Sequence, residues 1–208
     1  MKLKKAALKV VGKIVNKVTS STVQGTSAGV KSGYTADSEL IALCRRIGAE
    51  SVVMLKNNGN VLPLDRSRKV SVFDREQNDY FYVGYCSGGD VNAPYKISLM
   101  QALRNDPDIT VNTELADEYE RRCAAEPVDN GFWGLWPMCY DELSTDAATA
   151  KKAAANSDTA IVVIGRAAGE DRENKLEKGS YNLTDEETAL LDSVKDEFDK
   201  VIVLLNCG

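Results

Sequence analysis

The stretch from Gly165 to Glu187 reads GRAAGEDRENKLEKGSYNLTDEE and brings Glu170, Asp171, Arg172 and Glu173 together. An apolar run, TAIVVI, leads directly into it. A carboxyl group at the rim of a buried strand suits acid/base chemistry. Protonated, it gives a proton to a leaving oxygen; ionised, it activates water. Gly165 and Gly169 permit an unusual backbone path on either side of Ala167 and Ala168. The same residue types also suit a solvated turn, and on their own they leave both readings open.

The rest of the chain narrows the chemistry. It contains no His. Ser-His-Asp and Cys-His mechanisms are therefore excluded within these residues, and acid/base work falls to carboxylates, Lys, Tyr or Cys. The five Cys, at 44, 86, 123, 139 and 207, form no C-x-x-C pair. Free thiols are expected rather than a disulfide framework. No acidic or Cys group has metal-ligand spacing, so no metal is expected. GYCSGGDVN lacks the Lys of a phosphate-binding loop, and VIGRAAGE is not G-x-G-x-x-G, so no cofactor is expected either. Residues 126–145 have no clear period and carry both tryptophans, Trp133 and Trp136. Their faces can stack on a sugar as a binding lip, or they can plug a gap in the core.

The elements that must position these groups alternate. A helix is expected from about Asp37 to Ile47, with Gly48 as its stop. KVSVF (69–73) and YFYVGY (80–85) read as strands. Asn92 and Pro94 open a helix running to about Arg104. ITVNT is a strand candidate, 114–125 a helix, and 145–155 an Ala-rich helix. TAIVVIG (159–165) and KVIVLLN (200–206) are continuously apolar, as strands covered on both faces are. Between them Thr184 begins a helix with a capping box, because Glu187 stands three residues on. This order predicts an α/β fold, a three-layer α/β/α sandwich with a mainly parallel sheet. A central-type strand so close to Gly208 predicts that the sheet is truncated there.

Hydrophobic residues make up 43% and charged residues 27% of the 208, as in an ordinary globular protein. The formal charge of -5 conceals an asymmetry. Residues 1–36 hold seven Lys and no acid, and the remainder holds 19 basic against 31 acidic residues. An acidic body argues against nucleic-acid partners. The basic lead, residues 1–35, reads as an amphipathic helix with Leu3, Ala7, Val10, Val11, Ile14 and Val18 on one face. Lys9, Lys13 and Lys17 break any signal-peptide core, and no run approaches the roughly 20 residues of a membrane span. A cytoplasmic location without membrane partnership is the expectation.

Residues 36–208 carry a family resemblance. AESVVMLKNNGNVLPL (49–64), KVSVF, GYCSGGDVN, DTAIVVIGRAAGEDREN…GSYNLTDEETALLDSV and KVIVLLNCG resemble, in order, the motifs of the α/β sandwich domain of family 3 glycoside hydrolases. The resemblance implies a partial sandwich domain of a retaining β-glycosidase, acting on β-glucosides or β-linked oligosaccharides. It implies a nucleophilic Asp on a separate (β/α)₈ barrel of the same full-length chain, in an arrangement with the sandwich ahead of the barrel. It makes Glu170 the acid/base candidate, with Glu173 and Glu177 as alternatives, and Arg172, Trp133 and Trp136 candidate substrate-binding residues. The family's usual loop reads Glu-Gly-x-Asp-Arg, from which Glu170-Asp171-Arg172 departs. The alternative is a non-catalytic carbohydrate-binding or interaction module. A fragment holding one of two catalytic carboxyls is expected to be inactive alone.

Overall fold

The computed structural model describes residues 37–65, 68–82, 84–85, 95–131, 136–169 and 175–207. The basic lead lies outside them. The chain divides into two compact units at Asn60 and Val61. In the first, α1 (Ser38–Glu50) begins where the Asp37 carboxylate accepts from the amides of Glu39 and Leu40 at 2.7 and 3.2 Å. The helix runs through Gly48, the expected stop. A glycine inside a helix costs about 1 kcal/mol relative to alanine and does not by itself end it. Leu40, Leu43 and Ile47 on α1, and the VVML run after it, are exposed.

The second unit is built on a four-stranded parallel sheet. Its strands are β1 (Lys69–Phe73), β2 (Thr110–Val111), β3 (Thr159–Gly165) and β4 (Lys200–Asn206), in the order β2-β1-β3-β4. β3 is central and buried at all seven residues, which is why it is continuously apolar. Alternate side chains feed two cores. Ala160, Val162 and Ile164 join Phe73, Leu115, Tyr119, Ala153, Leu190, Val194 and Phe198. Ile161 and Val163 join Val70, Val72, Met100, Val111 and Ala116. The helices α2 (Leu99–Asn105), α3 (Thr113–Ala125), α4 (Ala147–Ala154) and α5 (Asp185–Glu197) supply the outer partners of these cores. The result is the expected α/β sandwich. Along β4, Val201 packs on the first core, while Val203 and Leu205 are exposed.

Local chemistry sets the helix starts. Asn112 caps α3, Asp146 caps α4, and Thr184 forms the expected capping box with Glu187 on α5. α2 begins later than expected, at Ser98, because Ser98 and Gln101 form a reciprocal capping box there. Residues 92–94, which were expected to open it, lie outside the described set. The described part of YFYVGY is not a strand. The Phe81 amide and carbonyl bond to the Asn206 side chain at 3.0 and 3.2 Å, and Tyr85 makes an isolated bridge to Gly169. Its backbone groups therefore serve a side chain and a loop instead of a ladder, and its rings pack as described below.

Candidate active site at the carboxyl edge of the sheet

Ligands of open parallel sheets bind outside the carboxyl ends of the strands, and the chain spends most of its buried polar groups at that edge. β1 ends at Phe73, and the φ of 79° at Asp74 turns the chain sharply into a short helical turn, Arg75–Gln77. The ψ of 143° there puts Asp74 in a positive-φ, extended conformation that glycine alone adopts freely, so the residue is strained. Several bonds hold it there. Its carboxylate accepts from the Glu76 amide at 3.0 Å, and its own amide donates to the Tyr119 hydroxyl at 3.2 Å. Gln77 Nε2 donates to the carbonyls of Val72 and Asp74 at 3.1 and 2.9 Å. Arg75 reaches out of the turn to three other segments. Its guanidinium donates to the carbonyls of Asp141 and Glu126 and to the Asp79 carboxylate, and its amide donates to Glu142 Oε2 at 2.8 Å.

β3 ends at Gly165 and continues into the loop that the sequence singles out. Arg166 points back into the protein, 8% exposed, and forms a two-pronged ion pair with the buried Glu187 at 2.7 and 2.8 Å. The Glu187 carboxylate also accepts from the Thr184 amide at 2.8 Å, so one side chain both caps α5 and neutralises the loop arginine. The Arg166 amide donates to the Asn206 carbonyl at 2.8 Å, and the Ala167 amide donates to the Met138 carbonyl at 2.7 Å. The Ala168 carbonyl accepts from the Tyr85 amide at 2.8 Å. This last contact needs a glycine beside it: a Cβ on Gly84 would lie 3.0 Å from the Ala168 oxygen. Residues 166–168 are thus tied to three separate segments, immediately before Glu170.

Asp74, Glu76, Asp79 and Glu142 gather at this edge. Asp74 and Glu76 are 2% and 3% exposed. Burial, reinforced by the Glu142 carboxylate, pushes the Asp74 carboxyl well above its usual range. Burial, then the charges of Asp79 and Glu142, pushes Glu76 up to about 9. Burial also raises Glu142. The desolvation of closely spaced carboxyl groups favours the neutral acid, so this edge can hold protons at neutral pH. Burial lifts the thiols of Cys123 and Cys139 to about 11, which leaves neither as an activated nucleophile.

An aromatic cluster flanks the loop. Trp136 stacks on Tyr85 with ring centroids 5.5 Å apart and planes 8° from parallel. Phe81 stacks on Tyr140 at 4.5 Å, and the Tyr140 hydroxyl donates to Asn130 Oδ1 at 2.8 Å. Because the Tyr85 backbone bonds Ala168, the Trp136–Tyr85 pair stands beside the strand exit. Of the other expected site residues, Glu170, Arg172, Trp133 and Glu173 lie outside the described set. Glu177 is exposed in a compact turn, its carbonyl accepting from Ser180 and Asn182. Asp74, Glu76, Glu142 and Arg166 were not foreseen. DREQND directly after β1, a charged run at a strand end, is the signal that points to the first two. Among the described residues, no group of His, Cys, Asp or Glu is arranged to hold a metal ion, and no helix is long and apolar enough to cross a membrane. A cleft of about 560 Å³ lies at the opposite, amino edge of the sheet between Arg68, Lys69 and Asp158, away from these groups.

A helix-covered parallel sheet with buried acids and a pinned loop at its carboxyl edge defines a domain of the α/β sandwich class. Residues 52–208 match the Glycosyl hydrolase family 3 C-terminal domain, and the chain belongs to that family. It is 41% identical over 172 residues to a beta-glucosidase of Ruminococcus albus, covering 82% of this chain and 18% of that protein. It is 32% identical over 197 residues to beta-glucosidase A of Butyrivibrio fibrisolvens, covering 84% and 23%. Among solved structures it resembles a beta-glucosidase from Paenibacillus barengoltzii, with a TM-score of 0.79 and 40% identity over 83% of this chain and 19% of that one. Beta-glucosidase 3B from Thermotoga neapolitana, solved with α-D-glucose, gives a TM-score of 0.68 and 30% identity over 80% and 24%. The chain therefore spans about a fifth of the length of the relatives it matches.

Proposed function

We propose that this chain is the acid/base side of a retaining β-glycosidase active site, acting on β-glucosides, with Glu170 as the acid/base residue. The nucleophilic carboxylate belongs, on this reading, to a barrel domain of the same full-length protein. The carrying observation is the strand exit. Arg166, Ala167 and Ala168 are each held by a backbone bond to a different segment, which fixes the chain as it leaves β3. The family membership and the beta-glucosidase relatives support the reaction class. In the first step the Glu170 carboxylic acid gives its proton to the glycosidic oxygen as the bond to the anomeric carbon breaks. In the second its carboxylate takes a proton from the attacking water. Arg172 orients a carboxylate or a sugar hydroxyl, and the aromatic cluster around Trp136 borders the substrate.

Glu170→Ala in the full-length protein tests this. The first step should slow for poor leaving groups and little for a dinitrophenyl β-glucoside, which needs no proton. Azide should restore part of the turnover by attacking the glycosyl intermediate in place of water. Unchanged rates for both kinds of substrate would remove Glu170 and pass the role to Glu173 or Glu177.

A further inference from the structure

We propose that Glu76 is a positioning residue for the acid/base loop, its carboxyl lodged against the α-carbon of Gly165 so that it sets the course on which the chain leaves β3. The inference rests on the acid/base reading of Glu170 and deepens it.

The geometry that carries it is a contact between two strand ends. A Cβ built on Gly165 would lie 2.2 Å from Glu76 Cδ and 2.4 Å from each carboxyl oxygen. No side chain can stand at residue 165 while Glu76 keeps its place. Gly165 is the last residue of β3, and the loop begins one residue later. The backbone that carries the Glu76 side chain is held in place. Its amide bonds the Asp74 carboxylate, and the turn that carries it is fastened by Arg75 on one side and Gln77 on the other.

The group is also an expensive one to place here. Glu76 is 3% exposed, and neither carboxyl oxygen has a hydrogen-bond partner among the described residues. A position that served only to fill space would be better occupied by an apolar side chain. The charged and titratable groups around it are Asp79 and Glu142, which oppose its ionisation, and Arg75 and Arg166, which favour it less strongly than burial opposes it. Asp74, Tyr80, Cys139 and Tyr140 also face it, and its ionisation would raise each of them. Burial therefore favours the neutral acid at working pH.

The test compares Glu76→Ala, Glu76→Gln, Gly165→Ala and the double variant Glu76→Ala/Gly165→Ala in the full-length protein, with circular dichroism melts to verify folding. Glu76→Ala should lower kcat/KM by about 10- to 100-fold on a poor leaving group, the cost of misplacing a catalytic group by about 1 Å, and by less than about 3-fold on the dinitrophenyl glucoside, because kcat/KM reports the first step alone. Glu76→Gln, neutral and of the same shape, should recover most of the loss. Gly165→Ala should mimic Glu76→Ala, and the double variant should be no worse than either single one, since removing the carboxyl makes room for the methyl. Equal losses on both substrates, no recovery with Gln, or additive losses in the double variant would overturn the proposal. If Glu76→Ala does not fold, Gly165→Ala and Glu76→Gln decide it by the same leaving-group comparison. Failure of the acid/base reading is distinguishable: Glu170→Ala would then show no leaving-group dependence, whereas failure of the Glu76 proposal alone would leave that dependence intact.

Discussion

Replacing Glu76 by glutamine should flatten the pH dependence of stability between about pH 5 and 8, and the size of the effect follows from its burial. The carboxyl titrates at about 9 in the folded chain against 4.5 for the ordinary group. Folding at neutral pH must therefore take up a proton. The sign is that of a raised pKa: the favourable contribution is complete below about 4.5, falls as pH rises, and is lost once the folded group itself ionises near 9. At pH 7 the cost is the distance from 4.5 to 7 at about 1.36 kcal/mol per pH unit, about 3.4 kcal/mol. The amide of the Glu76→Gln variant has nothing to titrate. It sits in the same unpartnered place, which adds an offset of about 1–3 kcal/mol, but an offset does not change slope. The assay is urea unfolding of this chain and of Glu76→Gln at half-unit steps from pH 5 to 8. The difference between the two free energies should move by about 1.4 kcal/mol per pH unit, one proton per molecule. Parallel curves would mean that Glu76 ionises normally when folded, and the neutral acid in the argument above would be refuted.

Glu187→Ala should destabilise the chain by about 3–5 kcal/mol in the same unfolding assay, because it strands the buried Arg166 guanidinium and uncaps α5; a loss below about 1 kcal/mol would show the pair to be exposed in solution. Tyr119→Phe should cost about 1–3 kcal/mol, since its hydroxyl serves the strained Asp74 amide at 3.2 Å and Thr145 at 2.9 Å; an unchanged urea midpoint would argue against that bond. Gly84→Ala should lower the protection of the Tyr85 amide in hydrogen exchange, because the added methyl meets the Ala168 carbonyl at 3.0 Å. Unaltered exchange at Tyr85 would show that the segment accommodates the methyl.

Much of the architecture was legible because it depends on residues near one another in the chain. The strand signals at 69–73, 159–165 and 200–206 became the strands β1, β3 and β4. The Thr184–Glu187 capping box formed as its spacing requires, since both partners lie within one helical turn. Where local signals competed, the closer partner won: Ser98 and Gln101 set the start of α2. YFYVGY reads as a strand by composition, yet the bonds of its described part run to Asn206 and Ala168, in segments far along the chain.

The same distinction separates the two halves of the site. That a carboxylate follows a buried strand at Gly165 is a property of neighbouring residues, and sequence alone determines it. That the carboxyl of Glu76 lies where a Cβ of Gly165 would be, with Arg166 turned inward onto Glu187, is decided only when β1 pairs with β3 and α5 packs beside them. Burial is likewise a tertiary property. The fold removes water from Asp74 and Glu76, and desolvation then favours the neutral acid in residues whose types alone predict charge.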